Sequence, residues 1–279
     1  MTLPIKVNQR LQNLSDAALV AKLLRAAHPD RAAEIGSHVR EHIVRFRLLF
    51  AAVGSAQQSQ TLLDVGGTGN LLPMYLDDLG YPYVAMANKW RSISLDPDFL
   101  AQFFPSDRFR CDYFDAEAER FPYNDASFDT VVCSEVIEHL KYDPAHLLRE
   151  INRVLKPGGR LILSTPNITS DMALYRLLAG RHPQVWSAYT GIDGDRHNRE
   201  YTPGEIRRLL QWAGFRNIDI QTFSLETIPL GIKMISYWTF LPWALRGRSD
   251  ILRHRGEYIL AASSKEDAAQ NQNPVWLYD

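Results

Sequence analysis

The stretch Thr61-Leu62-Leu63-Asp64-Val65-Gly66-Gly67-Thr68-Gly69-Asn70 decides how this chain is read. Residues 61–65 read as a buried strand, Gly66, Gly67 and Gly69 as a turn, and Leu71-Leu72-Pro73-Met74-Tyr75-Leu76 as the start of an apolar helix. Strand, glycine turn and helix in succession is how an open α/β sheet brings bare backbone to a nucleotide-like ligand. A Cβ at the glycines would obstruct both the turn and the ligand's approach. The dinucleotide pattern G-x-G-x-x-G is not met, because Leu72 stands three residues after Gly69. Asp64 would repel a pyrophosphate and suits a ligand that carries positive charge. A tight turn with no ligand is the bland alternative.

Working outward, residues 83–87 read as a second strand, ending beside Asn88, and 108–112 as a third. Asp115-Ala116 follows, then Phe121-Pro122-Tyr123 with Asp125, Ser127, Phe128 and Asp129 leading into a fourth strand. The run 128–133 is continuously apolar apart from Asp129 and Thr130, which suits a strand buried on both faces. Asp143-Pro144 is a helix cap and first-turn pair, and Leu147, Leu148, Ile151, Val154 and Leu155 mark one helix face. Lys156-Pro157-Gly158-Gly159 turns the chain into a fifth strand at 161–164, with Thr165-Pro166-Asn167 at its end.

In this order and at these intervals, the segments from 61 to 167 resemble the class I S-adenosylmethionine-dependent methyltransferases, of the type 11/23 kind. Their first motif is usually D-x-G-x-G-x-G, and GGTGN here is one residue shorter. The resemblance implies an α/β, Rossmann-like, doubly wound sheet of seven mostly parallel strands in the order 3-2-1-4-5-7-6, the last antiparallel. It implies a cap of N-terminal helices, with domain bounds of 1–60 for the cap, 61–265 for the methyltransferase domain and 266–279 for a mobile tail. It also implies S-adenosylmethionine as cofactor. Asp64, Gly66, Gly67 and Gly69 would form the glycine-turn side of its site, and Ser134 and Glu135 would approach from the end of strand four. Asn88 stands where the family has an acid for the ribose hydroxyls; a neutral amide bonds them without charge assistance. Asp115 and Ala116 fall where the family holds adenine.

The 279 residues carry a net charge of −1, which gives no electrostatic reason to expect nucleic acid as a partner. The two cysteines, Cys111 and Cys133, fall in expected strands, which argues against disulfides or a thiolate metal site. MTLPIKVNQRL has no apolar core of signal-peptide length, so a cytoplasmic protein is expected.

The chemistry gathers after strand four. On one helical turn Glu135, Glu138 and His139 are i, i+3 and i+4, and would point the same way. Two adjacent carboxylates repel unless something positive lies between them, and a divalent metal is the simplest answer. Asp195-Arg196-His197-Asn198-Arg199-Glu200-Tyr201-Thr202 is a polar loop that reads as a lid, followed by a helix capped by Thr202, Pro203 and Glu205. E-x-x-E-H with a later His resembles two groups of metal-dependent O-methyltransferases, those acting on small-RNA ends and those acting on ubiquinone-type phenols. That resemblance would make Glu135, Glu138, His139 and His197 ligands of Mg or Mn, with Zn or Co also open. Without metal, Glu135 would contact cofactor and His139 would be a base or a structural residue; His139, Glu138 and His197 are the candidate catalytic residues, with either histidine as base if not ligated.

Residues 1–60 read as helices. One is capped by Ser15 or Asn13, and another carries Ile35, Val39, Ile43, Phe46 and Phe50 on one face. His38, Arg40, His42 and Arg45 read as a solvated or sheet-edge face. Residues 218–223 and 257–263 read as strands six and seven. Between them, residues 228–248 are apolar but interrupted and too short to span a bilayer. They either pack over the core or acceptor pocket, or touch a lipid-linked substrate or a membrane surface. Expected partners are a small-molecule, saccharide or lipid-linked acceptor. A small-RNA methyltransferase and a cofactor-binding protein without catalysis are the alternatives.

Overall fold

The computed structural model describes residues 14–57, 59–89, 95–184, 196–225, 229–245 and 250–277. Asn13, Asp195 and the ends of the 228–248 stretch lie outside them. The strands are β1 (Thr61–Val65), β2 (Tyr83–Asn88), β3 (Phe109–Tyr113), β4 (Phe128–Ser134), β5 (Leu155–Pro166), β6 (Phe215–Phe223) and β7 (Tyr258–Lys265). They form one seven-stranded sheet in the order β3-β2-β1-β4-β5-β7-β6. The first five pair in parallel, and β7 runs antiparallel to both β5 and β6. Order and directions are those expected.

Alternation along each strand feeds two cores. Leu63, Val65, Ala85, Ala87, Val131, Cys133, Leu161 and Leu163 face one side. Leu62, Val84, Met86, Val132 and Ile162 face the other. Both faces are covered, so these strands read as largely apolar runs, with Asp64 the buried acid in β1. Burying each of the Leu, Val, Ile and Met side chains contributes roughly 1.5–3 kcal/mol relative to leaving it in water.

The helices covering the sheet are α1 (Asp16–Leu24), α2 (Ala32–Glu41), α3 (Ile43–Val53), α4 (Pro97–Leu100), α5 (Pro144–Val154), α6 (Asp171–Leu178), α7 (Pro203–Trp212), α8 (Leu230–Leu245) and α9 (Asp250–Arg253). Ser15 caps α1, its Oγ accepting from the Ala18 amide, and Thr202 with Glu205 closes a capping box on α7. The α1 and α3 side chains Leu19, Leu23, Phe46 and Phe50 share the second core with β1 and β2.

Several expectations are revised. The apolar face over 35–50 belongs to two helices, because His42 leaves helical geometry at φ −110°, ψ 21°. Glycine turn and helix do not join smoothly: a 3-10 turn, Gly69–Leu71, gives way to a π-helical segment, Pro73–Asp78. Strand five begins at Leu155, and Lys156-Pro157-Gly158-Gly159 is an excursion between the Phe128–Leu155 and Thr130–Arg160 pairings. Gly158 supplies the positive φ, +74°, that the excursion needs. Residues 266–277, in the stretch expected as a mobile tail, make contacts with the domain. Trp212 Nε1 donates to Gln272 O, Arg149 donates to Asn271 O, and the Arg208 guanidinium lies 3.9 Å from the Trp276 ring centre.

Candidate active site

Parallel register sets the stage. Val65 is level with Ala87 and with Cys133, so Gly66, Asn88 and Ser134 leave the sheet along one edge. Gly66 has φ +82°, and its amide donates to Ala87 O at 2.7 Å. A Cβ there would lie 2.3 Å from Val136 Cγ2, and one on Gly67 would lie 2.5 Å from the Asp64 carboxyl. Both glycines are thus required by how tightly the turn nests between its neighbours. Gly69 is buried at the start of the 3-10 turn. Asn88 Nδ2 donates to Gly67 O at 3.3 Å, so the amide on β2 reaches the turn.

Asp64 lies beneath the turn rather than on its rim. It is 1% exposed, and its Oδ2 accepts from the Tyr75 hydroxyl at 2.9 Å. Burial pushes its carboxyl up to about 7, against the lowering effect of Tyr75. Asp115 faces Lys89 Nζ at 2.7 Å and accepts from the Glu117 amide at 3.0 Å. Burial raises its carboxyl, but these two partners outweigh it and leave it below the ordinary value. Ala116 packs half-buried against the first core.

After β4 the structure separates what the sequence spacing joins. Only Ile137–His139 form a turn, of 3-10 type, and Glu135 precedes it at φ +55°. A left-handed conformation is uncommon for a non-glycine residue and must be held by its surroundings. Here the Glu135 amide donates to Ser164 O at 3.0 Å and Ser164 Oγ donates to Oε1 at 2.7 Å. Oε2 lies 3.1 Å from Arg45 Nη1. Ser134 Oγ lies 2.8 Å from Ser164 Oγ. Glu135 is therefore turned to Arg45 and Ser164, and it does not join Glu138 and His139 as an expected metal ligand.

Arg45 overturns the solvated-face expectation. It is buried on α3, it lies 3.0 Å from His38 Nε2, and its guanidinium sits 5.9 Å from the Tyr258 ring centre. The sequence held one signal: an arginine beside Phe46 in the otherwise apolar stretch Ile43-Val44-Arg45-Phe46-Arg47-Leu48-Leu49 needs a partner if it is buried.

Glu138 is 0% exposed. Its Oε2 accepts from Thr165 Oγ1 at 3.0 Å, while Oε1 is buried with no hydrogen-bond partner. Burial first, and then the Glu135 charge, push the Glu138 carboxyl well above the usual carboxylate range. His139 Nε2 lies 3.9 Å from Glu138 Oε1. His139 Nδ1 donates to Arg196 O at 3.1 Å, which leaves Nε2 as the basic nitrogen. The His197 ring stands 4.9 Å from His139 at 79°, and its Nδ1 donates to Glu200 Oε1 at 2.9 Å.

The loop bearing His197 is fastened to the turn. Asn198 N donates to Glu138 O at 2.7 Å, and Asn198 Nδ2 donates to His139 O at 2.8 Å. Tyr201 pairs with Asn167 beyond β5. One ligand atom each from Glu138, His139 and His197 lies within 4.8 Å of the others. The set fits a cation: a buried carboxyl oxygen lacks a partner, and both imidazoles are oriented through Nδ1 by a carbonyl or a carboxylate. With Glu135 elsewhere, two of three donors are nitrogens. Sequence reasoning missed Arg45, Ser164, Thr165 and Tyr258, which act through contacts between distant segments, and Glu200, which holds His197 from three residues away.

Comparison with known proteins agrees with the fold. The family profile described as a methyltransferase domain matches residues 35–220. The chain belongs to the S-adenosylmethionine-dependent methyltransferases. A malonyl-(acyl-carrier protein) O-methyltransferase of a Marinomonas species is 31% identical over 166 residues, 58% of this chain and 53% of that protein. A ubiquinone biosynthesis O-methyltransferase of Idiomarina loihiensis is 27% identical over 159 residues, 57% of this chain and 63% of that protein. The matched part thus spans between half and two thirds of these methyltransferases. In fold, the chain is similar to Burkholderia thailandensis 1,6-didemethyltoxoflavin-N1-methyltransferase solved with S-adenosylhomocysteine. The TM-score is 0.52 at 17% identity, over 96% of this chain and 94% of that one.

Proposed function

We propose that this methyltransferase acts on a hydroxyl oxygen of a small-molecule, saccharide or lipid-linked acceptor. The observation that carries the reading is the Glu138–His139–His197 cluster, one strand away from the glycine turn and at the same sheet edge. The O-methyltransferase names of the two sequence relatives support it. S-Adenosylmethionine would supply a methyl group already activated by its sulfonium. The Gly66–Gly67 turn, Asn88, Asp115 and Ala116 would bind its nucleoside, Gly69, Ser134 and Glu135 would line the amino-acid side, and Asp64 would act on it only as a charge from beneath the turn. His139, its Nδ1–H fixed on Arg196 O, would take the acceptor proton at Nε2. His197, held by Glu200, offers a second imidazole of the same kind.

A metal-assisted version is favoured by the unpartnered Glu138 oxygen. Glu138, His139 and His197 would hold a divalent cation, which would lower the acceptor's pKa and orient its oxygen. Two imidazoles and one carboxylate suit a first-row transition cation better than Mg.

The test is transfer of labelled methyl to a panel of hydroxyl acceptors, with and without chelator, in the native chain, His139→Ala and Glu138→Gln. Transfer abolished in His139→Ala, with cofactor binding intact by calorimetry, supports the reading. Chelator-insensitive transfer removes the cation. Transfer only to nitrogen or carbon acceptors rejects O-methylation, and cofactor binding without any transfer favours a non-catalytic protein. Net charge −1 counts against small RNA as acceptor.

A further inference from the structure

Helix α8 is built inside out. Its Ser236 is 2% exposed and donates to Asp171 on α6, and Arg255 Nε donates to Ser236 Oγ at 3.0 Å and to Asp171 Oδ1 at 2.9 Å. The polar contact therefore faces inward. Outward go Met234, Ile235, Tyr237 and Trp238, at 52%, 50%, 49% and 65% exposed. Alongside, α6 exposes Leu177 and Leu178 at 60% and 62%. A helix on a water-facing surface normally shows the opposite arrangement. A contiguous apolar face of this kind marks an interaction surface.

Charge decides what covers it. Residues 227–249 contain no Asp or Glu, and their charges are Lys233, Arg246 and Arg248. Lys233 is exposed on α8, as are Arg181 beyond α6 and Arg253 at the end of α9. A second copy would bring these cations against their own kind. An anionic lipid surface matches both features, apolar depth below and negative headgroups around, and Trp and Tyr are residues that favour that boundary. Among the described residues no helix is long and apolar enough to cross a membrane.

We propose that α8 and the end of α6 seat this protein on an anionic membrane surface, with the helix lying in the interface. Phe223 is level with Tyr258, and Tyr258 with Pro166. The segments entering α6 and α8 thus leave the sheet at the edge that carries the candidate active site. The proposal stands apart from the identity of the methyl acceptor.

Cosedimentation of the full chain with phosphatidylcholine vesicles, and with vesicles also containing phosphatidylglycerol, tests it. Expected is salt-sensitive binding to the anionic vesicles. The doubly substituted Ile235→Glu/Trp238→Glu chain should bind about tenfold more weakly or worse. Lys233→Glu should lose the preference for anionic lipid. Val275→Glu, 69% exposed on another segment, should bind like the native chain. Circular dichroism and melting confirm that each variant is folded. No binding by the native chain, or equal binding by the doubly substituted chain, overturns the proposal. So does a native dimer, by light scattering, that the double substitution dissolves.

Discussion

Replacing Asp64 by Asn isolates the cost of a buried acid under the glycine turn. Asp64 sits at 1% exposure with Tyr75 Oη at 2.9 Å, and its carboxyl rises from 3.8 to about 7. That displacement of about three pH units corresponds to roughly 4 kcal/mol at about 1.4 kcal/mol per unit. The sign follows from proton counting. Between about pH 4 and pH 7 the folded chain keeps a proton that the unfolded chain has released, so stability falls as pH rises. Above the folded value both states are ionised and the full penalty stands. Asn keeps an acceptor for the Tyr75 hydroxyl and cannot ionise. Asp64→Asn should therefore match the native chain near pH 4 and exceed its stability by up to about 4 kcal/mol near pH 8. Glu138, also raised, leaves a residual slope of the same sign. Urea unfolding followed by tryptophan fluorescence at several pH values is the assay. A positively charged cofactor favours ionised Asp64, so calorimetry near pH 6 should show proton release on binding that the variant lacks. Equal pH slopes in the two proteins, or a less stable variant near pH 8, would refute the reasoning.

Three further outcomes follow from the same contacts. Arg45→Met leaves Glu135 without its ion partner and should cost about 3 kcal/mol in urea unfolding, with most of the loss recovered when Glu135→Gln is added. Gly66→Ala must place a methyl at φ +82° and 2.3 Å from Val136 Cγ2; thermal unfolding should show a loss of about 2–4 kcal/mol, with cofactor binding weakened. Thr202→Ala opens the capping box of α7 and should cost about 1 kcal/mol by the same measurement, leaving cofactor binding unchanged.

The sheet was legible because strands covered on both faces carry short runs of consecutive apolar residues. Val131-Val132-Cys133 and Leu161-Ile162-Leu163 announce themselves without reference to the rest of the chain. Caps at Ser15, Asp143 and Thr202 were legible for the same reason, since each bond closes within a few residues. What escaped depends on distant partners. Nothing near Arg45 in sequence says that Glu135, ninety residues on, turns toward it. Spacing alone put Glu135 on the face of Glu138, and one left-handed residue undid that. The helix break at His42 carries no proline or glycine to mark it. Nothing local in the tail shows that Trp276 lies against Arg208. Apart from the family resemblance, His197 was legible only as a loop histidine; its place beside His139 is fixed by Asn198 and Arg196, which bond the turn across 59 and 57 residues.

The central claim is that the bare turn after β1 receives the cofactor and directs its transferable carbon to the histidine-bearing turn after β4. A crystal structure with S-adenosylhomocysteine tests it most directly. The account predicts the nucleoside seated against Gly66, Gly67 and Asn88, with its sulfur facing His139. A nucleoside bound elsewhere, or a sulfur pointing away from the Glu138–His139–His197 cluster, would contradict it.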